Sequence, residues 1–292
     1  MSISNYSYIC KIFMQIIKFN RELKERLDAL RQKGSVGFVP TMGALHDGHR
    51  SLLKKCKSEN RIAICSIFVN PTQFNDKNDL KNYPRNLEKD LQIIADEGFD
   101  FTFCPDEKEM YPTPDMRQFE FGNLDKIMEG KHRPGHFNGV AQIVTKLFDT
   151  VRPDNAYFGE KDFQQLAIIK YLVRTFKLPI NIVSCPTIRE KDGLALSSRN
   201  LLLGSEERKN ATLIWQTLFK AKSLQNELNV SDLKKWVIEQ VNSCPYFKVE
   251  YFEIVDDLEL HPILNWDEKN NKVGCIAVRA DTVRLIDNIR FN

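Results

Sequence analysis

Histidines 46 and 49 stand three residues apart within Pro40-Thr41-Met42-Gly43-Ala44-Leu45-His46-Asp47-Gly48-His49. The stretch follows Val36-Gly37-Phe38-Val39, an apolar run that reads as a buried strand. It leads into Ser51-Leu52-Leu53-Lys54-Lys55, which reads as helix. Strand, glycine loop and helix start together make a cradle for phosphate. Glycine lets the backbone approach a ligand, and the first helical turn offers unpaired N–H groups and partial positive charge. Two imidazoles at that junction can face one anion, which points to nucleotide chemistry. By itself the pattern is short, and such loops are common.

Four distant segments add groups of the right kind. In Phe68-Val69-Asn70-Pro71-Thr72-Gln73-Phe74, Asn70 and Gln73 can hydrogen-bond a small polar substrate, although Asn-Pro is also an ordinary turn. Lys131-His132-Arg133-Pro134-Gly135-His136 is a basic loop ahead of a helix, suited to an anion or simply solvated. Gly159-Glu160-Lys161-Asp162 sits where a strand ends and a helix begins. Lys161 there is a point charge for phosphate, and Asp162 can hold Mg²⁺ or cap the helix. Ile188 to Asn200, with Ser197, Ser198 and Arg199, has the hydroxyls and cation of a polyphosphate clamp, and Gly193 offers it a hinge.

The elements that must position these groups alternate. Strands are expected near 36–39, 62–69, 99–103, 155–158 and 180–183, and helices near 19–33, 49–58, 87–97, 138–151 and 163–176. Leu87, Leu91, Ile94 and Ala95 have helical spacing, as do Val140, Ile143, Val144 and Leu147. Alternation predicts an α/β fold: a Rossmann-like parallel sheet with helices on both faces and ligands at the carboxyl ends of its strands. Beyond Pro186 the pattern changes. A helix over about 205–227 with Ser205 as N-cap and another over about 231–243 precede three strands near 249–255, 272–279 and 283–287. Two domains follow, 1–186 and a smaller α+β domain at 187–292.

Composition narrows the function classes. The 292 residues carry a net charge of +3 from 42 basic and 39 acidic side chains, too balanced for a general nucleic-acid or membrane binder. No apolar run is long enough to cross a bilayer, and the start lacks the pattern of a signal peptide. Seven cysteines, an odd number with no two spaced as a CxxC pair, read as small buried hydrophobes in a reducing compartment.

The segments PTMGALHDGH, SIFVNPTQF, YPRNLEKD, RPGHFNGV, FGEKDFQQL and KDGLALSSRN occur in this order, with RLIDN near the end. Together they resemble the signatures of the pantoate–β-alanine ligase family, from about Met14 to the carboxyl terminus. The first and the KDGLALSSRN segments are similar to the HIGH and KMSKS elements of the wider nucleotidyltransferase superfamily. The resemblance implies an ATP- and Mg²⁺-dependent, cytoplasmic homodimer that joins (R)-pantoate to β-alanine through pantoyl adenylate, releasing pyrophosphate and AMP. The first domain would bind ATP and pantoate, and the second would close over them.

The resemblance also implies residue roles. ATP would meet Met42, Gly43, Ala44, Leu45, His46, Asp47, Gly48 and His49, then Gly159, Glu160, Lys161 and Asp162, then Ile188, Leu196, Ser197, Ser198 and Arg199. His46, His49, Lys161, Ser197, Ser198 and Arg199 would be catalytic, with His49 the proton donor, and Asp162 a Mg²⁺ or ribose contact. Gln73 and Gln165 would hold pantoate, with Asn70 and Arg133 as further candidates for pantoate or β-alanine. Residues 1–13 have no counterpart in the family pattern.

Other readings are weaker. Zinc on His46/His49 and His132/His136 lacks HExxH, and Pro134-Gly135 interrupts the second pair. RNA binding lacks a basic stripe interleaved with aromatics. Cytidylyltransferases and class I tRNA synthetases share the HxGH segment, but FGEKDFQQL and VNPTQF favour pantoate.

Overall fold

A computed structural model describes residues 14–291, so the reading of residues 1–13 lies outside the described residues. Six parallel strands form the main sheet: β1 (Gln15–Ile17), β2 (Val36–Thr41), β3 (Ile62–Ile67), β4 (Phe101–Phe103), β5 (Asn155–Gly159) and β6 (Asn181–Cys185), in the order β1-β4-β3-β2-β5-β6. The chain moves outward from β2 in one direction and from β5 in the other. These two strands are neighbours, Gly37 pairing with Asn155 and Phe38 with Ala156. The crevice at their carboxyl ends is the switch point where α/β sheets bind ligands.

Helices cover both faces. Side chains alternate along a strand, so Phe38 and Ile64 face one core with α1 (Asn20–Asp28), while Val39 and Cys65 face another with α2 (Asp47–Glu59). Short α3 (Lys77–Asn82) and α4 (Leu87–Asp96) lead to β4, and two short helices, α5 (Glu107–Met110) and α6 (Met128–His132), precede α7 (His136–Val151) and α8 (Phe163–Thr175). Val140, Ile143, Val144 and Leu147 are all buried, in line with their spacing. On α4 the buried face instead centres on Asp90, Ile93 and Ile94, and Leu87 is 49% exposed.

Three other expectations change. Helix α1 ends at Asp28 rather than near 33, passing into a 3₁₀ turn at Arg31–Lys33. The long helix expected over 205–227 is two, α9 (Ser205–Asn210) and α10 (Thr212–Leu224), with Gly204 rather than Ser205 at the N-cap position. Helix α11 (Val230–Asn242) begins one residue early because the Asn229 side chain accepts the Asp232 N–H.

Strands β7 (Phe247–Asp256), β8 (Lys272–Ala280) and β9 (Val283–Arg290) form the antiparallel second sheet, in the order of the chain. It packs with α10 and α11 into its own core, which includes Ile214, Leu218, Val237 and Ile276. Val255, Leu260, Val273 and Cys275 belong instead to the core of the first sheet. The two sheets are therefore joined by packing, and by a buried ion pair in which Arg284 donates twice to Glu129, each at 2.6 Å.

Candidate active site

His46 is the N-cap of α2, and its Nδ1 accepts the Gly48 N–H at 3.1 Å. Nδ1 of His49 accepts the His46 N–H at 3.4 Å, and the ring centroids lie 4.1 Å apart. Gly48 is required here: a Cβ would stand 2.8 Å from the His46 ring. With both Nδ1 atoms accepting, each neutral imidazole carries its proton on Nε2. Burial and the nearby charge of Lys161 lower His46 to about 4; burial, then His46 and Lys161, lower His49 to about 3. Both rings are neutral at pH 7 and can offer Nε2–H groups to an anion. The donors expected from the backbone have moved: the amides of Gly48 and His46 are occupied by imidazoles.

The preceding loop is also internally bonded. Ala44 and Leu45 donate their N–H groups to the two oxygens of Asp90, at 2.8 and 2.7 Å, and Gly43 donates to Thr41 Oγ1 at 3.3 Å. Gly43, Ala44 and Leu45 therefore shape the loop instead of donating to a nucleotide. Asp47 is solvent-exposed and does not line the cavity beside the imidazoles. Asp90, 2% exposed, escaped the sequence reading; its signal was a carboxylate at the i position of an i, i+3, i+4 apolar face with Ile93 and Ile94.

After β3, Asn70 is fully committed. Its Nδ2 donates to Gln73 Oε1 and the Gly139 carbonyl at 3.2 and 3.1 Å, and its Oδ1 accepts Thr72 and Tyr111 hydroxyls at 3.2 and 2.7 Å. Asn70 thus orients Gln73 at the edge of the smaller cavity, which it also lines. Gln73 Nε2 reaches Met42 Sδ at 3.1 Å, a weak acceptor that a better one can replace. Arg133 lines a neighbouring cleft, where its Nη1 lies 3.1 Å from His136 Nε2. The other ring nitrogen of His136 lies 2.8 Å from the Gln73 carbonyl, so both are engaged and neither can serve a zinc ion.

Lys161 and Asp162 follow β5. Asp162 occupies the N-cap position of α8 but makes no cap hydrogen bond, so the capping expectation fails. Its carboxylate is half exposed, 3.9 Å from Lys161 Nζ. Glu160 turns the other way, accepting Arg290 Nη2 at 3.0 Å outside the cavity.

The Ile188–Asn200 segment begins as a tight hairpin, Arg189 bridging Ala195. Gly193 has φ 97°, and a Cβ would lie 2.2 Å from Trp215 Cδ1. Arg208 clamps the turn through Glu190 and Asp192 at 2.6 and 2.7 Å. Gly193 is thus a packed turn rather than a hinge. Beyond it, Ser197 Oγ accepts the Arg199 N–H at 3.2 Å. Arg199 is paired with Asp79 at 3.0 Å and lies 5.8 Å over the Tyr83 ring, whose hydroxyl is 3.5 Å from Ser198 Oγ. Tyr83 and Asp79 are further residues missed from sequence.

A cavity of about 220 Å³ gathers Met42, His46, Gly48, His49, Gln73 and Gly159 with Ile188, Leu196 and Ser198. A larger cleft of about 1020 Å³ between the sheets holds Arg133. The two share a wall made of Lys161, Asp162, Gln165, Ser197 and Arg199. Among the described residues no three His, Cys, Asp or Glu side chains are grouped to hold a metal ion. Such an arrangement can bind a polyanion at the shared wall and present a small carboxylic acid to it from beside Gln73.

A sequence model for pantoate-beta-alanine ligase matches residues 15–290. The pantothenate synthetase of Bacteroides thetaiotaomicron is 54% identical over 279 residues, covering 95% of this chain and 99% of that protein. That of Caldicellulosiruptor saccharolyticus is 46% identical, covering 94% and 99%. Among solved structures, pantothenate synthetase from Thermus thermophilus matches with a TM-score of 0.88 and 40% identity over 96% of this chain and all of that one. Pantoate-beta-alanine ligase from Francisella tularensis, complexed with beta-gamma ATP and β-alanine, matches with a TM-score of 0.80 and 38% identity over 95% and 97%.

Proposed function

The chain belongs to the pantoate–β-alanine ligase family, and from that premise we infer how its own residues perform the reaction. It catalyses the ATP-dependent condensation of pantoate with β-alanine. A carboxylate is a poor acyl donor because oxide would have to leave. In our reading a pantoate oxygen bonds to the α-phosphorus of ATP, the bond from that phosphorus to the bridging oxygen breaks, and pyrophosphate departs. The amine of β-alanine then bonds to the acyl carbon, the bond from that carbon to the phosphate oxygen breaks, AMP leaves with the bonding pair, and the amine passes a proton to solvent.

Like charges oppose the first step, so cations and aimed donors must offset them. Lys161 and Arg199 supply charge, Ser197 and Ser198 hydroxyls, and His46 and His49 neutral Nε2–H donors. The incoming phosphate raises both imidazoles, which lets His49 act as the proton donor. Gln73 and Gln165 hold the polar groups of pantoate against the apolar wall of Val140, Ile143 and Val144. β-Alanine enters from the larger cleft, past the shared wall.

Mg²⁺ suits this site as a companion of the triphosphate. It keeps most of its water and needs one or two carboxylates, and Asp162 is free of a cap and lines both cavities. When bound, the ion would neutralise phosphate charge. We also propose a homodimer, supported by Phe176, which is 54% exposed although it stacks edge-on with Phe119 at 5.9 Å. The six described cysteines are all free, which supports a reducing cytoplasmic setting. No helix among the described residues is long and apolar enough to cross a membrane.

One observation carries the reading: the shared wall unites the three loops that sequence places at 161–165, 197–199 and, across the smaller cavity, 46–49. The test is AMP formation from ATP, which should need pantoate and turn over only with β-alanine. AMP formed without pantoate would refute it.

A further inference from the structure

Two adjacent residues of β9 fasten the second sheet to both cation-bearing loops. Asn288, 9% exposed, donates both Nδ2 hydrogens to the backbone of the β5–α8 loop, to the Glu160 carbonyl at 2.8 Å and the Lys161 carbonyl at 3.0 Å. Asp287, 5% exposed, receives Arg189 through two oxygens at 2.6 and 2.9 Å, and its Oδ1 also accepts the Asn288 N–H at 2.7 Å. Arg189 opens the segment that ends in Ser197 and Arg199. Its guanidinium lies 3.5 Å from the Trp215 ring centroid and donates to the Gly193 carbonyl at 3.2 Å. The register of Lys161 against Arg199 therefore runs through one point of one strand.

A strand with Val283, Leu285 and Ile289 on its buried face has no packing need for a carboxylate at Asp287. Burying it is costly unless it is paired, and the pair it makes holds a loop rather than the core. The neighbouring Asn288 likewise uses its donors on carbonyls that no helix or strand of its own sheet supplies. We propose that Asp287 and Asn288 are positioning residues for adenylation: they fix the spacing between Lys161 and the Ser197–Arg199 clamp. They act through the two loops they hold. This rests on the adenylation reading of the site.

The test measures pantoate-dependent pyrophosphate release by full-length Asn288→Asp, which keeps size but removes both donors, and by Asp287→Asn, which weakens the grip on Arg189. Tyr251→Phe is the control. It removes a hydrogen bond of 2.7 Å to Glu129 across the same boundary and makes no bond to either loop. Misplacement of reacting groups by an ångström can cost on the order of 100-fold. We expect kcat for pyrophosphate release to fall by about 10- to 100-fold in either β9 variant, with KM for pantoate unchanged, while Tyr251→Phe keeps the wild-type rate. If Asn288→Asp does not fold, Asp287→Asn alone decides. Unchanged kcat in the folded β9 variants, a rise confined to KM for pantoate, or an equal loss in Tyr251→Phe overturns the proposal. Absence of pyrophosphate release from the wild-type protein would instead strike the adenylation reading.

Discussion

His46 and His49 each give Nδ1 to a backbone amide of their own helix start, so the partial positive charge of that start can reach an anion in the smaller cavity through Nε2–H. Neutral rings suit this role because each keeps an Nε2–H that an arriving phosphate can accept before its charge raises the rings. The same fact has a consequence for stability. In the unfolded chain a histidine titrates near 6.5, whereas here His46 falls to about 4 and His49 to about 3. Between those values the unfolded chain binds more protons, so acid favours unfolding. The contribution is complete above pH ~6.5 and is lost as pH falls toward the folded values. The melting temperature should fall between pH ~6.5 and ~5, with a shallower slope in a His46→Gln/His49→Gln double variant. Equal slopes would show that the rings are not held neutral. His136, lowered to about 4 mainly by burial, keeps part of the slope in that variant.

Elements explain what a residue list cannot. Asp90 on α4 fixes the turn that delivers His46, although it lies 44 residues further along the chain. Asp90→Ala would leave the Ala44 and Leu45 N–H groups buried without a partner, at about 1–3 kcal/mol each in urea unfolding. It should also lower the adenylation rate, and full activity in that variant would remove Asp90 from the account. Strands β2, β3 and β5 were legible because they are apolar runs followed by polar loops. β1 was not, since only Ile17 of its three residues is buried. Helices α3, α5 and α6 have 6, 4 and 5 residues, too few for a period to show. The charged and hydroxyl side chains that line the two cavities were legible because their types suit that chemistry. Legibility failed where a residue's partners come from other elements: Asn70 bonds Gly139 and Tyr111, Asp90 the Ala44 and Leu45 amides, and Glu160 the guanidinium of Arg290. Gly193 misled because a glycine required by a left-handed turn looks the same in sequence as one at a hinge.

At the scale of the whole molecule, the second sheet is braced to the first by buried Glu129 and part-buried Arg284, with Tyr251 adding a third bond. Arg284→Ala leaves the buried Glu129 carboxylate with only Tyr251 and the more distant Arg133, so it should cost about 3 kcal/mol by urea unfolding; a loss below ~1 would contradict the brace. We take residues 187–292 as the unit that closes over the nucleotide, pivoting at this brace and at β9. Small-angle scattering should show a more compact particle with ATP and pantoate, and identical curves would count against closure. The central claim is that three loops meet to activate an acyl carboxylate, and rapid-quench release of pyrophosphate from ATP on mixing with pantoate alone tests it most directly. The account predicts release of about one equivalent per chain before any β-alanine is added, slowed by roughly 10²–10³-fold in Lys161→Ala. Release only once β-alanine arrives, or at the wild-type rate in Lys161→Ala, would contradict it.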